Sequence, residues 1–183
     1  MVSLCAAAVV LVVFALSATG KLVSKRAFDG FADSMGAAGF GYATRSTVAG
    51  LVVVAEICVA VSVLVPVGTL QIRLVPAMVL SAVFSAFLLW KSASRLGAWA
   101  CHCFGSATPV PAWLLLCRNA VLMGVTTGGV VTNSDPSSAG VIVFSIGLGA
   151  MIGIAIASTD RIYSALRIDP MPRAADTLEA KRR

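Results

Sequence analysis

Five apolar segments constrain the fold more than any other feature of this 183-residue sequence. A helix that crosses a bilayer needs about 20 consecutive, mostly apolar residues. Segments of this kind occupy residues 3–23, 47–67, 70–92, 111–131 and 139–158. Because hydrocarbon offers the backbone no hydrogen-bond partners, such segments must be helical. The sequence therefore predicts an all-α integral membrane protein whose spans form one bundle over residues 1–159.

Composition and charge support a lipid bilayer as the surroundings of this chain. Hydrophobic residues make up 58% of the sequence and charged residues 12%, about half the charged share of a soluble domain. The net charge is +6, but the basic residues flank the apolar segments and do not cover one face. This arrangement excludes nucleic-acid binding and is typical of topology signals.

The positions of the basic residues predict the orientation of the five spans. Twelve of the fourteen fall on one side of the membrane, whereas Arg73 alone falls on the other. By the positive-inside rule the N-terminus lies outside and the C-terminus in the cytoplasm. The twelve residues are Lys21, Lys25, Arg26, Arg45, Lys91, Arg95, Arg161, Arg167, Arg173, Lys181, Arg182 and Arg183.

Two segments outside the spans have their own patterns. Phe28, Phe31, Ala32 and Met35 recur at helical spacing in a short, charged stretch, which predicts a helix lying at the membrane interface. Residues 160–183 are polar and contain two prolines, so we expect a flexible tail.

The motif Cys101-His102-Cys103 lies between the third and fourth spans. A disulfide between cysteines one residue apart is strained, and strained disulfides are easily reduced. The functional interpretation is a dithiol that cycles, with His102 assisting proton transfer. Two alternatives remain: the thiols are incidental, or the three side chains bind a metal with Cys117 as fourth ligand. The metal interpretation is the least favoured.

Charged and polar residues also occur inside the spans, where they are costly unless paired. Arg118 and Asn119 interrupt the fourth span, and Glu56 interrupts the second. Glu56 is the expected partner of Arg118, and Lys21 reaches the same level. These residues predict a polar cluster beneath the Cys-His-Cys motif, either to fix helix register or to favour thiolate. Cys117, next to Arg118, is a candidate resolving thiol.

With these residues in place, the chain resembles the methylamine-utilisation MauE family within the DoxX-like group of small bacterial membrane proteins. The residues that carry the resemblance are Gly20-Lys21, Glu56, Cys101-His102-Cys103-Phe104-Gly105 and Arg118-Asn119, within about residues 15–120. The resemblance implies a four-helix bundle in the plasma membrane, to which this chain adds a fifth span. It also implies a redox-associated protein that works with a thioredoxin-like partner, and a quinone is a candidate cofactor.

Three functions are compatible with these features. The first is a thiol-disulfide redox protein in which Cys101 and Cys103 cycle, and this would make the chain an enzyme. The second is a non-catalytic subunit or assembly factor of a membrane complex, in contact with its partners through the Gly-rich fifth span. In that span Gly147, Gly149 and Gly153 are expected to permit close helix packing. The third and least favoured function is a carrier of a small molecule or an ion that uses the cluster of Glu56 and Arg118.

Overall fold

The computed structural model describes residues 1–37, 39–66, 68–93, 112–132 and 138–166. Within these ranges the chain is entirely helical, with no strand. The helices are α1 (Val2–Leu22), α2 (Lys25–Ala37), α3 (Tyr42–Leu64), α4 (Leu70–Ala93), α5 (Ala112–Val131) and α6 (Ala139–Leu166).

All helices except α2 are long and apolar enough to cross a membrane, which confirms the predicted all-α membrane fold. Two of them extend beyond the predicted spans. Helix α3 begins at Tyr42 instead of residue 47, and α6 continues to Leu166, past the predicted start of the tail at residue 160. The apolar runs mark the part of a helix that suits the hydrocarbon, but a helix can continue into polar sequence. Residues 167–183 lie outside the described part of the chain.

Helix α1 is the centre of the bundle and packs against α3, α4, α5 and α6. Of its apolar window 56% is buried, against 33% or less for each of the other four spans. The inward-facing side chains of α1 are small, so the surrounding helices approach it closely. The main core cluster includes Ala6, Val9, Val10, Val13 and Phe14 of this helix.

Close contact between α1 and α6 depends on two of the three glycines expected to permit it. A Cβ atom added at Gly153 would lie 2.9 Å from the Cβ of Val12, and one at Gly149 would collide with the backbone of Cys5. The prediction was wrong for Gly147, where an added Cβ would meet nothing within 4 Å. Gly149 and Gly153 are four residues apart and share a face, whereas Gly147 points away from it.

The short helix α2 packs its apolar face against the first half of α3. Phe31, Ala32 and Met35 form a buried cluster with Ala49 and Val53. An ion pair at the edge of this contact joins Arg45 of α3 to Asp33 of α2 at 2.8 Å. Helix α2 is thus held over one end of the bundle by protein contacts, next to the last turn of α1.

Candidate functional site

The centre of the site is an ion pair between Lys21, near the end of α1, and Glu56 of α3. The Nζ atom of Lys21 donates hydrogen bonds to both carboxylate oxygens, at 2.6 Å for Oε2. The side chains are 1% and 4% exposed, so the pair is cut off from solvent. A buried pair of this kind is tolerated because each charge neutralises the other and the hydrogen bonds compensate for lost hydration.

Two further side chains complete the surroundings of this pair. The hydroxyl of Ser17 donates to Oε1 of Glu56 at 2.9 Å and accepts a hydrogen bond from Lys21 at 2.9 Å. Ser17 and Lys21 are one helical turn apart on α1, so both face α3. The ring of Phe31 lies 4.7 Å from the Lys21 ammonium, in the range of a cation–π contact. Helix α2 therefore covers the pair with an aromatic face.

Arg118 and Asn119 of α5 lie at the same site. Both line a cavity that also contains Ser17, Lys21 and Glu56. The Nε and Nη1 atoms of Arg118 are buried, and its positive charge lies within Coulombic range of Lys21. Arg118 is six residues after the start of α5, or about 9 Å along the helix. The predicted polar cluster of Lys21, Glu56, Arg118 and Asn119 is thus brought together in space.

The hydrogen-bonded ion pair within this cluster differs from the pairing that the sequence predicted. We expected Glu56 to pair with Arg118, since both seemed equally deep in their spans. In the structure Lys21 makes the ion pair with Glu56, and Arg118 lines the adjacent cavity. Helix α3 starts earlier than expected, which places Glu56 farther from the helix start and level with the last turn of α1.

The cavity has a volume of about 240 Å³ and an apolar wall. Helices α2, α3, α4 and α5 contribute to this wall, together with the segment between α2 and α3. Its polar side chains are concentrated at the end formed by α1, α3 and α5. The apolar lining residues are Phe31, Met35, Phe40, Val48, Val52, Val83, Phe84, Phe87, Leu88 and Leu115.

One wall of the cavity includes a residue of α4 that is also at the outer surface of the bundle. Val83 lines the cavity and is 57% exposed, whereas the Glu56 end is almost completely buried. A row of aromatic rings runs outward along the same side, with Phe40 to Phe87 and Phe87 to Trp90 each at 6.2 Å between centroids. Because α4 is a candidate membrane span, we expect this side of the bundle to face lipid.

The cysteine motif is attached to the helices that form this cavity. Cys101, His102 and Cys103 lie outside the described residues, in the segment that follows α4 and precedes α5. That segment leaves α4 at Ala93 and joins α5 at Ala112, and both ends are within about two turns of cavity-lining residues. The motif is therefore connected to the same end of the bundle as the polar cluster.

The remaining cysteine of the prediction, Cys117, is exposed on α5. Its neighbour Arg118 turns toward the cavity, because consecutive residues on a helix point about 100° apart. Ser17, Phe31 and the phenylalanines of α4 also belong to the site, although their sequence pattern alone did not predict a role there. The four-residue spacing of Ser17 and Lys21 was a signal that could have identified Ser17.

The family model described as methylamine utilisation protein MauE matches residues 1–132, from the start of α1 to the end of α5. No curated protein and no solved structure matches the chain. The matched region contains Lys21, Glu56, the cysteine motif and Arg118, and α6 follows it. The chain belongs to the family of methylamine utilisation protein MauE.

Proposed function

We propose that this protein is a membrane-embedded thiol-disulfide redox protein whose reactive pair is Cys101 and Cys103. The observation that supports the proposal is that α4 and α5, the helices on either side of the cysteine motif in sequence, both line a buried, cation-containing cavity. Cations near a thiol favour its thiolate, and this makes the sulfur a better leaving group when the thiolate of a partner attacks the disulfide. Arg118 supplies such a charge at the end of the bundle where α4 and α5 are joined, beside the mutually neutralised Lys21–Glu56 pair.

The proposed reaction transfers two electrons from a partner protein to the Cys101–Cys103 disulfide. A thiolate of the partner attacks one sulfur and forms a mixed disulfide. The second partner thiol resolves this intermediate, so that the partner leaves oxidised and Cys101 and Cys103 are left as thiols. His102 lies between the two cysteines in sequence, and we assign it the transfer of the protons released by the partner. A thioredoxin-like protein is the class of partner that this exchange fits.

The reduced dithiol must pass its two electrons to an oxidant in the membrane, and a quinone is the candidate class. The size of the cavity suits one ring, since about 150 Å³ is enough for benzene and the volume here is about 240 Å³. Arg118 and Asn119 would donate hydrogen bonds to a ring oxygen, and Phe84 and Phe87 would pack against the ring. A bound quinone would accept two electrons and two protons and leave as the quinol.

The test is thiol trapping of the full-length protein in native membranes. We expect Cys101 and Cys103 to shift between disulfide and dithiol forms when an oxidant or a reductant is added. A co-expressed thioredoxin-like partner should accumulate in its reduced form when either residue is replaced, in Cys101→Ser and in Cys103→Ser. Full oxidation of the partner in the double variant would exclude the redox function.

The same series contains matched controls among the other cysteines. Cys5 is partly buried in α1 near the contact with α6, far along the helix from Lys21, so Cys5→Ser should leave the partner's redox state unchanged. Cys117→Ser should have an intermediate effect if this residue resolves a mixed disulfide. An effect of Cys5→Ser equal to that of Cys101→Ser would point to general misfolding.

The alternative is an accessory subunit or assembly factor that contacts its partners through the Gly-rich α6. Two of its glycines, Gly149 and Gly153, already pack against α1 of the same chain. A contact between α6 and a partner protein would therefore need a different face of the helix. Phe144 and Met151 are exposed on α6 and could form such a face. An unchanged redox state of Cys101 and Cys103 under all conditions would favour this alternative.

A further inference from the structure

Helix α2 is capped at both ends by residues of its own segment. At its start the hydroxyl of Ser24 accepts a hydrogen bond at 3.1 Å from the backbone N–H three residues later. At its end the N–H of Phe40 donates to the carbonyl of Met35 at 3.2 Å. The N–H of Gly39, whose φ is 100°, donates to the carbonyl of Gly36 at 2.9 Å, which completes a Schellman motif. Because these hydrogen bonds are all local, α2 and Phe40 form one unit that can move without breaking them.

The attachment of α2 to the rest of the bundle is small. Among the described helices it packs mainly against α1 and α3. Its apolar contact with α3 is the buried cluster around Phe31 described above. Its ion pair with α3 joins Asp33 to Arg45, and both side chains are partly exposed, so the pair contributes little. Such an attachment can be released while the rest of the bundle stays folded, because local opening costs less than global unfolding.

The face of α2 that makes this contact also covers the polar end of the cavity. The ring of Phe31 lies 4.7 Å from the Lys21 ammonium, and Phe31 and Met35 both line the cavity. Phe40, which the Schellman motif joins to the end of α2, is in ring contact with Phe87 of α4. Displacement of α2 together with Phe40 would therefore uncover the buried ion pair and break the contact with α4 at the same time.

The connections of α2 to its neighbours are short and suited to a hinge. Val23 and Ser24 alone separate α1 from α2. On the other side Gly41 lies between Phe40 and the first residue of α3. Hinges in proteins are typically a few residues at the ends of helices or strands that absorb the change in backbone angles. The unit formed by α2 and Phe40 is thus connected at both ends through such positions.

We propose that α2 is a lid that swings away from α3 and opens the Lys21–Glu56 end of the cavity to water. In the closed state the two side chains of this pair are 1% and 4% exposed, so the bundle has to open before water reaches them. The open helix keeps its exposed charges in water and rests its apolar face on the membrane interface. This movement requires neither cysteine of the motif and no quinone, so it goes beyond the redox function and stands or falls separately from it.

A thiol placed beneath α2 reports whether the lid opens. Ala32 is 5% exposed in the contact with α3, so the thiol in Ala32→Cys is protected while the lid is closed. Asp29 is exposed on the same helix, and Asp29→Cys gives the rate for a thiol that is always accessible. The full-length protein in open membrane fragments is treated with a charged maleimide, and labelling at each position is followed by peptide mass spectrometry.

The expected result is complete labelling of Ala32→Cys at a reduced rate. For an open state populated at about 0.1–10%, the rate is about tenfold to a thousandfold lower than that of Asp29→Cys. No labelling of Ala32→Cys would show that α2 is a fixed cover, and equal rates would show that it does not close. Either result would overturn the proposal.

The ion pair between α2 and α3 tests what holds the lid closed. Asp33→Asn, made in the Ala32→Cys background, should raise the labelling rate by up to about fivefold, which is the contribution of an exposed pair. The double exchange Asp33→Arg, Arg45→Asp restores a pair of opposite polarity and should reverse most of this increase. An increase that persists in the double exchange would contradict the role of the ion pair.

Gly41 tests the hinge, with an effect of the opposite sign. Its φ of −61° and ψ of 160° are angles that proline adopts, so Gly41→Pro fits the closed state but restricts the hinge. We expect it to slow labelling of Ala32→Cys about two- to fivefold. Gly41→Ala is the matched control and should slow labelling less, because φ stays free to change. Labelling that responds to neither Asp33→Asn nor Gly41→Pro would indicate fraying of α2 and overturn the lid.

Discussion

Lys21 and Glu56 form an ion pair between α1 and α3 in which both carboxylate oxygens accept hydrogen bonds from one ammonium group. The two residues are 35 positions apart in sequence, and both side chains are almost fully buried. The pair joins α1, the central helix of the bundle, to α3, against which α2 packs. It therefore links the packing of the bundle to the shape of the adjacent cavity.

Removing one member of this pair should destabilise the protein strongly. Lys21→Met leaves the Glu56 carboxylate in a buried site without its ammonium partner, which costs about 3–5 kcal/mol. Adding Glu56→Leu to this variant should recover part of the loss, because no buried charge then remains at the pair. The measurement is thermal unfolding in a mild detergent.

The exposed ion pair between Arg45 and Asp33 supplies the control for that experiment. Its side chains are 29% and 64% exposed, so Arg45→Gln should change stability by no more than about 1 kcal/mol. If Arg45→Gln and Lys21→Met destabilise equally, burial does not set the strength of the Lys21–Glu56 pair.

Arg118→Met should destabilise the protein less than Lys21→Met does. Glu56 keeps the hydrogen bonds from Lys21 and Ser17 when Arg118 is lost. We expect a loss of stability of less than about half that of Lys21→Met. The same unfolding measurement checks this order, and a reversed order would show that Arg118 is the main partner of Glu56.

Gly149→Ala should weaken the contact between α1 and α6. The added methyl group would collide with the backbone of Cys5 and with Ala8, and such overpacking costs about 1–3 kcal/mol. Gly147→Ala is the matched control on the same helix, because its methyl group would meet nothing within 4 Å. Thermal unfolding of the two variants should differ clearly, and equal stabilities would contradict the close approach of α1 and α6 at Gly149.

The orientation of the chain can be tested with a reporter fused after Arg183. Because twelve of the fourteen basic residues are expected on one side of five spans, we expect the C-terminus in the cytoplasm. A fluorescent-protein fusion should fluoresce there, and an alkaline phosphatase fusion should be inactive. The same orientation predicts that the segment with Cys101 and Cys103 lies on the cytoplasmic side, and activity of the phosphatase fusion would reverse both expectations.

The sequence by itself determined the class of fold and the identity of the buried polar residues. Long, mostly apolar segments require spanning helices, so five spans were predictable without any tertiary contact. The cost of polar groups in such helices identified Glu56, Arg118, Asn119 and Lys21 as one cluster, and all four line the same cavity.

Only the tertiary structure decided how these residues pair and which surfaces meet. The choice between Lys21 and Arg118 as the ion-pair partner of Glu56 depends on where α3 begins and how it lies against α1. Likewise, Gly147 and Gly149 look equivalent in sequence, but only Gly149 faces α1. Apolar length is a local property of a segment, whereas the rotation and offset of one helix against another are set by all the side chains that pack between them.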